Sequence, residues 1–231
     1  MSRLLLGVLA GVVLAAMTLP PAAIAEPGPR TLYLVRHGYY DYEDEREPDV
    51  GKALVPLGVA QARLVSGRLR SIPVEMTMLY SSTMTRARQT AAVIHEDFPG
   101  LEWVKSRKLR ECTPTTRRKD IMEREDAADV EACERQLESA FEEFFVPSPE
   151  GERRDIVVCH GNVIRYFVTR ALGVDPEAWL GMSLGNCSLT VIRINADGTM
   201  KLLAIGDVGH IPPNLQSGLD HSDRTLAIPD E

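Results

Sequence analysis

Apolar residues along the chain fall into short dense runs separated by stretches of helical spacing, and their order predicts the architecture. Residues 31–35 (Thr-Leu-Tyr-Leu-Val) and 155–159 (Asp-Ile-Val-Val-Cys) are rich in β formers with little polar alternation, the pattern of strands covered on both faces. Residues 74–80 read as another strand. Pro56, Leu57 and Gly58 open a stretch in which Leu57, Ala60, Leu64 and Leu69 share one side of a helix with proline in its first turn. A second helix carries Ala87, Thr90, Ala91 and Ile94, preceded by Ser81, Ser82, Thr83 and Thr85, residue types that cap helix starts. From Cys112 to about Asp126 the chain is charged and irregular. Val130, Cys133, Leu137, Phe141 and Phe144 then repeat at helical spacing, and residues 147–151 form a loop. A further helix spans 163–172, ended by Gly173. Residues 188–194 and 199–205, joined by Asn195-Ala196-Asp197-Gly198, predict an antiparallel hairpin.

Strands alternating with helices and closing on a hairpin predict an α/β fold: a three-layer sandwich with a mostly parallel central sheet, helices on both faces and a small helical insert at about 112–150. One domain is expected over 26–218. Residues 219–231 contain few apolar positions and read as a loose tail.

The N-terminus has a different pattern. Arg3 precedes an apolar or small run over 4–19, Pro20 and Pro21 end that run, and Ala23-Ile24-Ala25 fits a small-x-small cleavage site. Residues 1–25 therefore read as a signal peptide, and the protein as exported, periplasmic or secreted. An uncleaved anchor, including one in a mitochondrial membrane, is the alternative, and only then does a membrane enter as a partner. With 44% hydrophobic and 26% charged residues the chain can bury an ordinary core, and a net charge of −7 argues against nucleic acid as a partner. The even set Cys112, Cys133, Cys159 and Cys187 permits two bridges after export. Small buried thiols are favoured over bridges, because Cys159 ends an apolar run and Cys187 lies in a polar turn. No C-x-x-C or H-E-x-x-H pattern is present, so no metal and no cofactor are expected.

Two predicted strand ends deliver histidines, His37 and His160, where α/β folds place their sites. Arg36 stands beside the first histidine and Arg86 at a helix start. Taken singly, each residue has an ordinary structural use. Together they form a cationic, donor-rich set suited to phosphate, because arginine forks match its oxygens and a helix N-terminus adds backbone donors.

These residues also lie in segments that resemble a known family. Arg36-His37-Gly38 after an apolar strand, Ser81-Ser82-x-x-x-Arg86-Ala87-x-x-Thr90, Leu109-Arg110-Glu111 and Cys159-His160-Gly161-Asn162 resemble, in order, the signatures of the histidine phosphatase, or phosphoglycerate mutase-like, superfamily. Asn186 to Thr190 and Gly206-Asp207-x-Gly209-His210-x-Pro212 are similar to its later segments, so the likeness runs from about Thr31 to Pro213. The ending and the helix after His160 are most similar to the branch that includes a mitochondrial serine/threonine protein phosphatase. That branch's tryptophan-aspartate assembly motif has no counterpart seen here, so no oligomeric state is implied.

The resemblance implies a metal-independent phosphomonoester hydrolase acting on a phosphorylated protein or small ester. In that mechanism neutral His37 attacks phosphorus and becomes phosphohistidine, while Arg36, Arg86 and His160, with Gly38 and Asn162, hold the phosphoryl group. Glu111, by its place in the Leu-Arg-Glu motif, is the implied proton donor and acceptor, unless it only pairs with Arg110 or Arg117. Tyr39 and Tyr40 stand where many members have an acidic or amide residue. The mutase recognition segment near Glu111 is missing, which favours hydrolysis over mutase-type phosphoryl transfer. A non-catalytic phospho-ligand binding protein is the reading from a different class. Arg117-Arg118-Lys119 reads as a solvated charge run, Trp103 and Trp179 as packing, and Asn186-Cys187-Ser188 as an unused glycosylation match.

Overall fold

The two apolar runs become neighbouring central strands in a computed structural model that describes residues 26–219. The leader expected at 1–25 and residues 220–231 of the expected tail lie outside the described residues. β1 (Pro27–Arg36) runs parallel to β4 (Gly151–Cys159), with Arg36 opposite Cys159 in the register. β2 (Met78–Ser82) lies parallel to β4 on its other side, and β3 (Trp103–Ser106) parallel to β2. β5 (Leu189–Ile194) and β6 (Met200–Asp207) form the expected hairpin and add antiparallel to β1. The six-stranded sheet has the order β3-β2-β4-β1-β5-β6 and is mostly parallel.

Alternation along the strands sends successive side chains into separate cores. Tyr33, Val35, Ile156 and Val158 face α1 (Pro56–Arg70) and α2 (Thr85–Asp97). Leu32, Leu34, Val157 and Cys159 face α4 (Ala127–Phe144) and α5 (Gly161–Leu172), while α3 (Lys119–Met122) is a single turn ahead of them. The fold is thus the three-layer α/β sandwich. Within the stretch expected as an insert, α4 buries Leu137, Ala140 and Phe144 against the sheet and so completes one of its layers. Leu137 and Phe144 are each worth about 1.5–3 kcal/mol by burial. Gly173 ends α5 in the left-handed conformation, φ 63°.

Some elements depart from the sequence reading. α3 forms within the stretch that read as irregular, β3 forms where the apolar pattern assigned no element, and β2 starts at Met78 because residues 72–77 are used in a turn and a crossing to β4. The preference for free thiols fails for one pair: Cys112 and Cys133 are disulfide-bonded. Gln136 explains how they meet, since its amide donates to the carbonyls of Arg110 and Lys108 and lays that segment along α4. Cys159 and Cys187 remain free and buried, and desolvation raises both thiols far above the ordinary range, which leaves them inert. Trp179 is 1% exposed and donates to the Thr115 carbonyl, a packing role.

Candidate active site

Parallel pairing places the two histidines side by side. With Arg36 opposite Cys159, His37 and His160 each follow the last residue of a neighbouring strand, and their ring centroids are 5.0 Å apart. The His37 amide donates to the Cys159 carbonyl at 3.0 Å, which locks the two strand tips together.

The partners of His37 define its tautomer. Nδ1 lies 2.9 Å from the Gly38 carbonyl, which can only accept, so Nδ1 carries the proton. Nε2 then presents a lone pair, and Arg86 Nε donates to it at 3.2 Å. The ring is 2% exposed. Burial, then the charges of Arg86 and Arg36, hold its pKa well below the ordinary histidine value, so it is neutral near pH 7. Gly38 itself is fixed by its amide donating to Thr90 Oγ1 at 3.0 Å. A Cβ on Gly38 would stand 2.5 Å from the Gly58 carbonyl, where α1 begins.

His160 Nε2 and Ser82 Oγ are 2.9 Å apart, and burial followed by its cationic and histidine neighbours keeps this ring neutral too. Ser82 and Ser81 were expected to cap α2. They instead belong to β2, and Met84 occupies the cap without a side-chain bond. Arg86, in the first turn of α2, is 6% exposed, with its guanidinium centre 4.7 Å from the Tyr40 ring centroid.

Arg36 lies over the start of α5, its Nε 3.5 Å from where a Gly161 Cβ would be. Its NH1 is bonded to the Leu184 carbonyl and, at 3.3 Å, to the Gly218 carbonyl. Arg36 Nε, Arg86 NH1 and His160 Nδ1 are buried and have no hydrogen-bond partner. Buried polar atoms are ordinarily satisfied, so two arginine donors and a ring nitrogen left without partners around the adjoining His37 and His160 rings mark a site built for an oxygen-rich anion.

Glu111 accepts from the Asn162 amide at 3.2 Å, an otherwise orphaned donor in the first turn of α5. Desolvation pushes its pKa up, opposed by Arg36, Arg86, Arg165 and the Asn162 amide. The pairings considered for it with Arg110 and Arg117 do not occur: Arg110 bonds Asp49, and Arg117 bonds Asp175. Arg118 bonds Asp120, as a solvated run would. Asn162 was expected on phosphate, but its side chain is engaged with the Cys112 carbonyl and Arg165 NH1. Its observed contacts hold the Glu111 segment.

Several residues at the site were not singled out from the sequence. Asn186 is 1% exposed and donates to the His37 carbonyl at 3.0 Å. Ser217 Oγ bonds Asn186 Oδ1, and the Gln61 amide bonds both Ser217 and the Leu215 carbonyl, fastening residues 215–218 beside Arg36. Ser82, Thr90 and Asn186 lie in quoted motif segments, which was the available signal. Gln61 has none, as a buried amide in an unremarkable helix. Among the described residues, no group of three or more His, Cys, Asp or Glu is placed to hold a metal, and no helix is long and apolar enough to cross a membrane.

The sequence model of the histidine phosphatase superfamily (branch 1) matches residues 32–142 and 113–207. The mitochondrial serine/threonine-protein phosphatase Pgam5 of Caenorhabditis elegans is 40% identical over 192 residues, 80% of this chain and 65% of that protein. The human mitochondrial PGAM5 is 34% identical over 189 residues, again 80% and 65%. The chain thus spans about 65% of the length of these curated relatives. A crystal structure of phosphoglycerate mutase from Plasmodium falciparum superimposes with a TM-score of 0.57 and 28% identity, covering 80% of this chain and 95% of that one.

Proposed function

The chain belongs to the histidine phosphatase superfamily, branch 1, and from that premise we propose that it hydrolyses phosphomonoesters through a phosphohistidine on His37. The observation that carries this reading is the pair of unpartnered buried arginine donors, Arg36 Nε and Arg86 NH1, together with the unpartnered ring nitrogen Nδ1 of His160, whose ring lies beside that of His37. The Nε2 lone pair of His37 forms the N–P bond as the ester P–O bond breaks. Glu111, whose carboxyl is biased toward its neutral form, gives its proton to the departing oxygen. Its carboxylate then takes a proton from the water that attacks phosphorus. The P–N bond breaks, its electron pair returns to Nε2, and inorganic phosphate leaves. The arginines and His160 offset charge that builds on the phosphoryl oxygens.

The substrate class is a phosphoserine or phosphothreonine protein or a small phosphate ester, and the names of the Pgam5 relatives support the former. The Cys112–Cys133 bridge supports a compartment that is oxidising, outside the reducing cytosol. Export meets that condition, and a mitochondrial membrane location meets it where the domain faces an oxidising compartment.

Para-nitrophenyl phosphate, a phosphoserine peptide and a sugar phosphate, each offered in chelator with release of free phosphate measured, test the proposal. Hydrolysis of at least one supports it. The likeness to a phosphoglycerate mutase favours a second reading, which isomerisation of phosphoglycerate stimulated by bisphosphoglycerate, without free phosphate, would establish.

A further inference from the structure

We propose that Tyr40 is the positioning residue of Arg86, its ring face standing in for the carboxylate that would ordinarily hold a buried arginine. This rests on the reading of the pocket as a phosphate site. Arg86 is 6% exposed and forms no direct ion pair among the described residues, the Glu111 carboxylate acting on its charge only from beyond salt-bridge distance. A buried cation without a direct counter-ion is costly, and a carboxylate in contact here would compete with phosphate for the same N–H groups. An aromatic face attracts the guanidinium without using any of its N–H bonds. Tyr40 supplies that face at 4.7 Å, which leaves Nε for His37 and NH1 unpartnered.

The ring is itself held. Tyr42 stacks on it at 4.0 Å and 28°, and the edge of His37 meets it at 5.2 Å and 70°. Its backbone forms an antiparallel bridge to Leu54, next to the Asp41 amide that donates to the Ala53 carbonyl at 2.9 Å. Tyr40 therefore touches both the nucleophile and the cation beside it, and its aromatic side chain orients the cation without neutralising it.

The test is binding, measured by titration calorimetry with orthovanadate and repeated with inorganic phosphate, on the full chain. Tyr40→Leu is expected to weaken vanadate binding about threefold to thirtyfold, the range for a desolvated cation–π contact. Tyr40→Phe, which keeps the ring and drops the hydroxyl, is expected to stay within about twofold of the wild type by the same argument. Where Tyr40→Leu does not fold, phenylalanine at this position bearing none, one or three ring fluorines decides the matter, because fluorination drains the ring face and barely alters its shape. A stepwise loss of affinity supports the proposal. Equal affinity across that series, or a Tyr40→Phe loss as large as that of Tyr40→Leu, overturns it. Wild-type protein that binds neither anion removes the phosphate-site reading, and this inference with it.

Discussion

Arg86 Nε donates to His37 Nε2 across 3.2 Å, so the ring nitrogen that carries no proton is in direct contact with a cation. Protonating His37 would set two positive charges against each other in a buried site, and desolvation acts in the same direction. The acid limb of kcat/KM, which reports the free enzyme's base, should therefore lie below the ordinary histidine value of 6.5. Arg86→Ala removes one of the depressing charges. The limb should then move up toward 6.5, with kcat/KM lower by about a hundred- to a thousandfold, the usual cost of one transition-state donor. A pH–rate profile of both proteins checks this; an unmoved limb would separate Arg86 from the ionisation of His37.

Glu111 has the complementary sign. Its pKa is raised by burial, so the protonated form needed to expel the leaving group is lost as pH climbs through the folded-state value. Glu111→Gln should lower hydrolysis of an alkyl phosphate about a hundred- to ten-thousandfold. The first-turnover burst of nitrophenolate from para-nitrophenyl phosphate should slow much less, because nitrophenolate departs without a proton, even though later turnovers still need the Glu111 base for water. Equal losses in the first-turnover rate on both substrates would contradict the assignment.

The Cys112–Cys133 bridge closes a loop with a sequence separation of 21 and begins one residue after Glu111. By loop-closure entropy it contributes about 3 kcal/mol. Dithiothreitol, or a Cys112→Ser/Cys133→Ser variant, should lower the melting temperature by about 6–12 °C. A melt indifferent to reductant would show that the bond is absent in solution.

Gly218 has φ +70°, and a Cβ there would stand 2.6 Å from Asn186 Oδ1 and 2.8 Å from Arg36 NH1. Gly218→Ala adds about 1–2 kcal/mol of backbone strain and crowds the phosphate-site arginine. Melting should fall by about 2–8 °C, with KM rising more than kcat falls. An unchanged KM would show that residues 215–218 do not bear on Arg36.

The central strands and the two histidine tips were legible because a parallel strand covered on both faces leaves a plain apolar run that ends in its polar residues. β3 was not, since Trp103-Val104-Lys105-Ser106 is short, edge-placed and supported by pairing with β2 that the sequence does not display. The disulfide was missed for a related reason: Cys112 lies in a charged irregular stretch, and only the Gln136 contacts bring it to α4. Ser82 read as a cap because serine serves both purposes, and the proximity of His160 is a tertiary fact. Asn186, Gln61 and Ser217 act on the site through backbone carbonyls and one another, contacts for which local sequence holds no pattern.

The most direct test of the account is to mix the protein with a phosphomonoester labelled in its phosphoryl group, quench in alkali within the first turnovers, and locate the label on peptides. The account predicts base-stable, acid-labile phosphate on His37, absent from a folded His37→Ala variant that has also lost turnover. Full turnover by His37→Ala, or label on any other residue of an active wild type, would contradict it.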